Sequence, residues 1–330
     1  MTAVPLSRTR PAWPDLPAPV RAGIEARLAA PVTAWTSHDG GYSQGLASTL
    51  RTADGPVFVK TVGPEHAFTV GMYREEARRA ALLPAGVPAP RLLWSADLPS
   101  GGEDDSGDGA GGTWVALAFE TVASRNPATP WVDEELQVVL DLAVAVGEHP
   151  VPDGGLPAFE TELPTDRTQR LAAEAPAGLA TYDPWLIARL DRLAEIELDA
   201  AAAVAGSSLV HGDLRGDNAL LVAPPDGPPG ATRALAVDWP NAARGAAFCD
   251  LVGMLPAVEV EGGPLPEEVL SRRPLPAGTD EDAVTAYLVA LAGYFVHSSL
   301  QPPPPGIPHV RAFQRAQGEA CVAWLRRLLR

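Results

Sequence analysis

An α+β chain in two lobes, with a small antiparallel sheet and one main helix ahead of a larger, mostly helical part, follows from three features of the sequence. Up to Phe119 the residues fall into short β-branched and apolar runs separated by Gly-containing turns. Beyond Phe119, apolar residues recur at helical spacing. The length of 330 residues also exceeds the size at which one hydrophobic core stops growing. The boundary is drawn between 119 and 120, giving an N-terminal lobe 1–119 and a C-terminal lobe 120–330.

Taken in order, Val32–Thr36, Leu46–Thr52 and Pro56–Val62 are strand-like and are separated by Asp39-Gly40-Gly41 and Asp54-Gly55. Met72–Leu83 has helical composition and is stopped by Pro84, Gly86, Pro88 and Pro90. Arg91–Ala96 and Thr113–Phe119 read as two more strands. The stretch LPSGGEDDSGDGAGG that joins them has no apolar face and reads as a mobile surface loop with no catalytic character. Helical periodicity marks Val132–Glu148, Pro184–Val204, Ala246–Val258, Asp280–Val296 and Pro308–Arg330. Two short apolar runs, Ala219–Val222 and Ala234–Val237, flank a Pro/Gly turn as a small hairpin. No internal repeat or coiled-coil heptad is present.

Hydrophobic residues make up 46% and charged residues 20%, ordinary globular usage. The net charge of −16, from 41 acidic and 25 basic residues, disfavours a nucleic-acid backbone or an anionic membrane as partner. It suits a cationic small molecule, although a plain solvated surface is the first explanation of such a balance. Cys249 and Cys321 are the only cysteines, the start MTAVPLSRTRPAWPDL lacks a basic-then-apolar pattern, and no apolar run reaches membrane-spanning length. A cytoplasmic protein with two inert core cysteines is expected.

Chemistry concentrates in HGDLRGDN, His211–Asn218, followed by VDW, Val237–Trp239. Transfer of a terminal phosphoryl group needs a carboxylate near the acceptor hydroxyl, oxygen ligands for a metal bridging the phosphates, and a cation on the nucleotide phosphates. Asp213 lies in a Gly-flanked loop, Asn218 follows five residues later at a strand start, and Asp238 ends the returning strand. Asn218 and Asp238 can hold magnesium through oxygen. Read blandly, the same Asp and Gly residues are turn formers.

Of the 25 basic residues only Lys60 is a lysine, and it ends the apolar strand Val57-Phe58-Val59. A compact ammonium does not interchange with a planar guanidinium, and phosphate contact explains its retention. Its carboxylate partner is Glu75 or Glu76, since helix neighbours point to different faces. Gly40, Gly41 and Gly45 lie in a loop whose backbone can approach phosphates, although Leu46 after Gly45 rules out a P-loop. Asn126, Asn218 and Asn241 are the only asparagines.

These residues resemble the aminoglycoside phosphotransferase family, relatives of choline and protein kinases. HGDLRGDN is similar to its catalytic loop and VDWP to its metal segment; VFVK, EEARRAALLPAGVPAP and WVALAFETV are similar to its lysine strand, first helix and hinge. The resemblance runs from about Val32 to Gly263. It implies the bilobal protein-kinase-like fold, an ATP- or GTP-dependent transfer to a small-molecule hydroxyl, and Mg2+. It further implies Asp213 as the catalytic base, Asn218 and Asp238 as metal ligands, Lys60 as the phosphate contact with Glu76 as partner, and Phe119–Val122, including Glu120, as the hinge gripping the base.

His211 and Asp250 would support the catalytic loop, Asp250 being equally a plain helix N-terminal carboxylate. Pro240 stands where protein kinases have Gly, so a rigid metal segment is expected. Glu259 and Glu261 are candidate contacts to a cationic acceptor, or solvated loop acids. Three functions stay open: phosphorylation of an aminoglycoside or related antibiotic, phosphorylation of a sugar, amino-alcohol or biosynthetic intermediate, and a nucleotide-binding scaffold without turnover.

Overall fold

The structure, a computed structural model, describes residues 10–38, 44–101, 112–223, 231–304 and 309–329. The chain divides into two compact units, Met1–Ala81 with Ala89–Ala123, and Leu82–Pro88 with Ser124–Arg330.

Period-2 alternation builds the first unit. Its strands β1 (Ala34–Ser37), β2 (Leu46–Thr52), β3 (Gly55–Val62), β4 (Leu92–Pro99) and β5 (Thr113–Glu120) form one antiparallel sheet in the order β1-β2-β3-β5-β4. On β5, Ala116 and Ala118 face a cluster with Trp13, Leu16, Val20, Ile24 and Leu50, whereas Val115, Leu117 and Phe119 face Val62, Val70 and Tyr73. Helix α1 (Ala18–Leu28) covers the first face and α2 (Ala67–Ala80) the second. Each fully buried Leu or Val on these faces stabilises by about 1.5–3 kcal/mol. On β3, Phe58 and Val62 join the α2 side. The same alternation turns Lys60, between them, toward α2.

Helix α1 was not expected from periodicity: its core contribution is only Val20 and Ile24, an i, i+4 pair, in a Pro-rich context. The hairpin turn at 39–43 and most of the long loop, 102–111, lie outside the described residues, so the mobile-loop expectation does too.

The second unit is mainly helical, with α3 (Asp133–Gly147), α4 (Phe159–Glu162), α5 (Arg167–Glu174), α6 (Pro184–Ala188), α7 (Leu190–Glu197), α8 (Ala200–Ala203), α9 (Cys249–Val260), α10 (Pro266–Arg272), α11 (Glu281–Ser299) and α12 (Val310–Leu328). Short strands complete it: β6 (Ser124–Arg125), β7 (Ser208–Val210), β8 (Ala219–Val222), β9 (Arg233–Ala236) and β10 (Ala243–Gly245), paired as β6-β8-β9 and β10-β7.

The expected single helix Pro184–Val204 is three pieces. At Arg189 the backbone leaves the helical region (φ −121°, ψ 8°). Helix α5 starts on a cap from a distant residue: the fully buried Glu197 carboxylate accepts from Thr168 N at 2.9 Å and Gln169 N at 3.0 Å. Both cysteines are free and buried. Among the described residues no helix is long and apolar enough to cross a membrane.

Candidate active site

The hairpin β8–β9 sets the geometry of the second unit's polar cluster. Ala219 pairs with Ala236, and Val237 N donates to Asn218 O at 3.0 Å, so Asn218 and Asp238 leave the same end of the ladder. Asn218 Nδ2 donates to the Asp213 carbonyl at 2.8 Å, which leaves Oδ1 as the side chain's outward oxygen. Asp238 is exposed and adopts φ +64°, a left-handed conformation uncommon for a residue with a Cβ and associated with functional sites. Two oxygens on one hairpin end fit a hard divalent cation that keeps waters or phosphate oxygens in its shell.

Asp250 braces the loop that carries Asp213. Its Oδ2 accepts from His211 N at 2.7 Å and its Oδ1 from Gly212 N at 2.9 Å, from the first turn of α9. Burial pushes the carboxyl upward, and the two backbone donors of His211 and Gly212 oppose that. His211 is fully buried; desolvation lowers its pKa, and the neutral imidazole donates from Nε2 to Val237 O at 2.9 Å while Nδ1 accepts from Asp213 N at 3.3 Å. Trp239 lies 4.4 Å from the His211 ring and donates to Ala236 O at 3.1 Å, anchoring the Asp238 segment. Gly212, at φ +78°, is the one residue type that fits, because a Cβ there would lie 2.8 Å from Asn241 O.

Asp213 accepts from Asn218 Nδ2 at 3.3 Å and is ion-paired with Arg215, whose Nε lies 3.2 Å from Oδ1 without hydrogen-bond alignment. Its carboxyl is pushed up to about 6, burial outweighing Arg215, with Asp217 and Asp238 adding to the rise. The upward direction is what matters for chemistry, since 43% of the side chain stays open to water. Asn126 is a residue whose role sequence reading missed: its Nδ2 donates to the carbonyls of Asp217 and Ala219 at 3.1 and 3.0 Å, clasping both sides of Asn218. The rarity of asparagine was the available signal.

In the first unit, Lys60 Nζ lies 2.5 Å from Glu76 Oε2, both side chains under 10% exposed, with the Tyr73 and Phe119 rings 5.1 and 5.8 Å from the ammonium. Glu75 instead binds the exposed Arg78 and the buried Arg79, so α2 itself separates the two glutamates. Gly45 has a structural reason to be glycine: a Cβ would sit 2.3 Å from Thr61 O. Gly40 and Gly41 lie outside the described residues. Phe119 and Glu120 end β5; Glu120 holds Arg91 at 2.7 Å and donates its N–H to Arg91 O, and Val122 follows, half-buried.

The model of the phosphotransferase enzyme family matches residues 35–288. The chain belongs to this family. It is a small-molecule phosphotransferase with a hydroxyl group as acceptor. Solved structures agree in fold: a candidate aminoglycoside phosphotransferase from Ralstonia eutropha JMP134 (14% identity, 93% of this chain and 98% of that one, TM-score 0.55), Plasmodium vivax ethanolamine kinase (11%, 88% and 81%, 0.53), and a spectinomycin phosphotransferase solved with ADP and spectinomycin (9%, 92% and 97%, 0.51). The fold is the bilobal kinase-like one. No curated protein matches the sequence significantly.

Two further carboxylates of the phosphotransferase separate clearly. Glu259 is tied to Arg327 at 3.1 Å. Glu261 is desolvated, its carboxyl pushed up to about 7, with Asp217 raising it and Arg215 opposing. Its Oε2 would lie 3.4 Å from a Cβ at Gly216, in the loop that carries Asp213, and the Trp131 indole would be as close. Glu261 Oε2 and the Trp131 N–H face one another without closing a well-formed hydrogen bond, so a buried acceptor and a buried donor meet beside the loop.

Proposed function

We propose that this phosphotransferase moves the terminal phosphoryl group of ATP or GTP, with magnesium, to a hydroxyl of a small amine-bearing molecule such as an aminoglycoside or related antibiotic. The observation that carries the reading is the hairpin end that presents Asn218 Oδ1 and Asp238 beside Asp213. Asp213 acts as base: it takes the acceptor's hydroxyl proton, the acceptor oxygen bonds to the terminal phosphorus, and the bridging P–O bond breaks with its electron pair leaving on the nucleoside diphosphate. An upward-shifted carboxyl is suited to accepting that proton. Asn218 and Asp238 would hold magnesium, which would supply neutralisation of the phosphate charge. Lys60, oriented by Glu76, contacts the phosphates, and the Phe119–Val122 segment holds the base through its backbone; His211 and Asp250 fix the loop.

A cationic acceptor is favoured by Glu261, whose desolvated carboxylate gains a partner when an ammonium approaches, with the Trp131 ring as a wall. The acidic balance of −16 supports the same class. A role in antibiotic resistance and a cytoplasmic location, in keeping with two free buried thiols, belong to this reading. The test is ADP release from magnesium-ATP against a panel of aminoglycosides, amino-alcohols and neutral sugars. Turnover is expected with amine-bearing acceptors and lost in Asp213→Ala with nucleotide binding retained. Turnover confined to neutral or anionic acceptors would overturn the acceptor class, and an active Asp213→Ala would overturn the base.

A further inference from the structure

We propose that Arg215 is a positioning residue for this transfer: anchored on Phe313 and Asp217, its guanidinium fixes the orientation from which the Asp213 carboxylate meets the acceptor hydroxyl. The inference rests on the reading of Asp213 as base. Asp213 stands in a loop with glycines at 212 and 216, and among the described residues its other side-chain restraint is the long 3.3 Å hydrogen bond from Asn218. A two-torsion side chain that is 43% exposed needs a lateral stop, and the ion pair with Arg215, itself only 12% exposed, provides one on the Oδ1 side.

Three contacts make the guanidinium rigid. Its Nε lies 3.2 Å from Asp213 Oδ1, its Nη2 lies 3.2 Å from Asp217 Oδ2, and its central carbon lies 4.8 Å from the Phe313 ring centroid. Phe313, on α12, packs edge-on against Phe295 of α11 at 6.4 Å and 82°, so the anchor is borne by the two longest helices of the unit. The fork matters because one positive charge is shared between two carboxylates. Held by two carboxylates and a ring, the planar group cannot swing away from Asp213 and so limits rotation of that carboxylate. Lysine cannot span both partners from one planar group.

The experiment compares parent, Arg215→Ala, Arg215→Lys and Asp213→Ala by ADP release from magnesium-ATP, with the best panel acceptor and with water alone as acceptor. Loss of orientation is expected to lower kcat of Arg215→Ala by about 100-fold with nucleotide KM little changed. Added guanidinium chloride at millimolar concentration should restore part of that rate, and Arg215→Lys should fall between. A crystal structure of Arg215→Ala should show the Asp213 carboxylate rotated, a readout independent of turnover. Retention of kcat within about threefold, or an Asp213 carboxylate that does not move, overturns the proposal. Should Arg215→Ala fail to fold, Arg215→Lys decides: a lowered kcat at the parent's melting temperature supports it and the parent's kcat refutes it. An inactive Asp213→Ala beside an active Arg215→Ala sinks only this inference, while an active Asp213→Ala sinks the assignment of the base.

Discussion

Replacing Lys60 by Met separates what the buried ion pair does for the fold from what it does for the reaction. At 2.5 Å, with both side chains nearly buried, the Lys60–Glu76 attraction is about 6–7 kcal/mol at an effective dielectric of 20. Removing one partner of such a pair costs about 3–5 kcal/mol, because the remaining charge has lost its compensation. Lys60→Met should therefore unfold the first unit about 3 kcal/mol more easily in urea. The double variant Lys60→Met/Glu76→Leu removes both charges from a face already lined by Val62, Val70, Tyr73 and Leu117, and should regain most of that stability. Catalysis should behave oppositely, with ADP release down by at least about 100-fold in both variants, because the cation proposed to contact the phosphates is absent from each. Urea melts and steady-state rates on the same three proteins make the comparison. Recovery of activity in the double variant would refute the role of Lys60, and an unchanged melt in the single variant would refute the energetic argument.

Gly212→Ala forces a side chain into φ +78° and to 2.8 Å from Asn241 O; the backbone term alone is about 1–2 kcal/mol, and circular-dichroism melts with rate assays should show both stability and turnover falling. Asn126→Ala strips donors from the carbonyls of Asp217 and Ala219, costing about 1–3 kcal/mol, and should raise the magnesium concentration needed for half-maximal rate, an effect that an unchanged metal dependence would disprove. Glu261 has its folded pKa raised from 4.5 to about 7, so the folded state binds the extra proton between those values and stability falls as pH rises through that window, by at most about 3 kcal/mol. Glu261→Gln should accordingly gain stability over the parent at pH 8 and little at pH 4. A pH-independent difference would show that Glu261 is not desolvated as drawn.

Local chemistry was enough to read the strands of the first unit, because β-branched alternation and Asp-Gly turns are short-range signals: β2 was located residue for residue and β3 to within one. The same holds for the Asp213, Asn218 and Asp238 cluster, since loop and hairpin keep these residues within 26 positions of one another. The singular lysine stood out in the composition, and the structure buries it against Glu76. Other features depend on residues far apart in the chain. Glu197 caps α5 from 28 and 29 positions away, so no local pattern marked that helix. The left-handed backbone of Asp238 is carried in a context stiffened by Trp239 against His211, a contact across the loop. Glu259 and Glu261 look alike in VEVEGG; only packing gave one to Arg327 and left the other beside Trp131 and the catalytic loop. Arg215 was an ordinary basic residue until α11 and α12 brought Phe313 under it. Propensity and motif act over a few residues, whereas desolvation, ion-pair choice and the restraint of a side chain depend on which distant surfaces close over it.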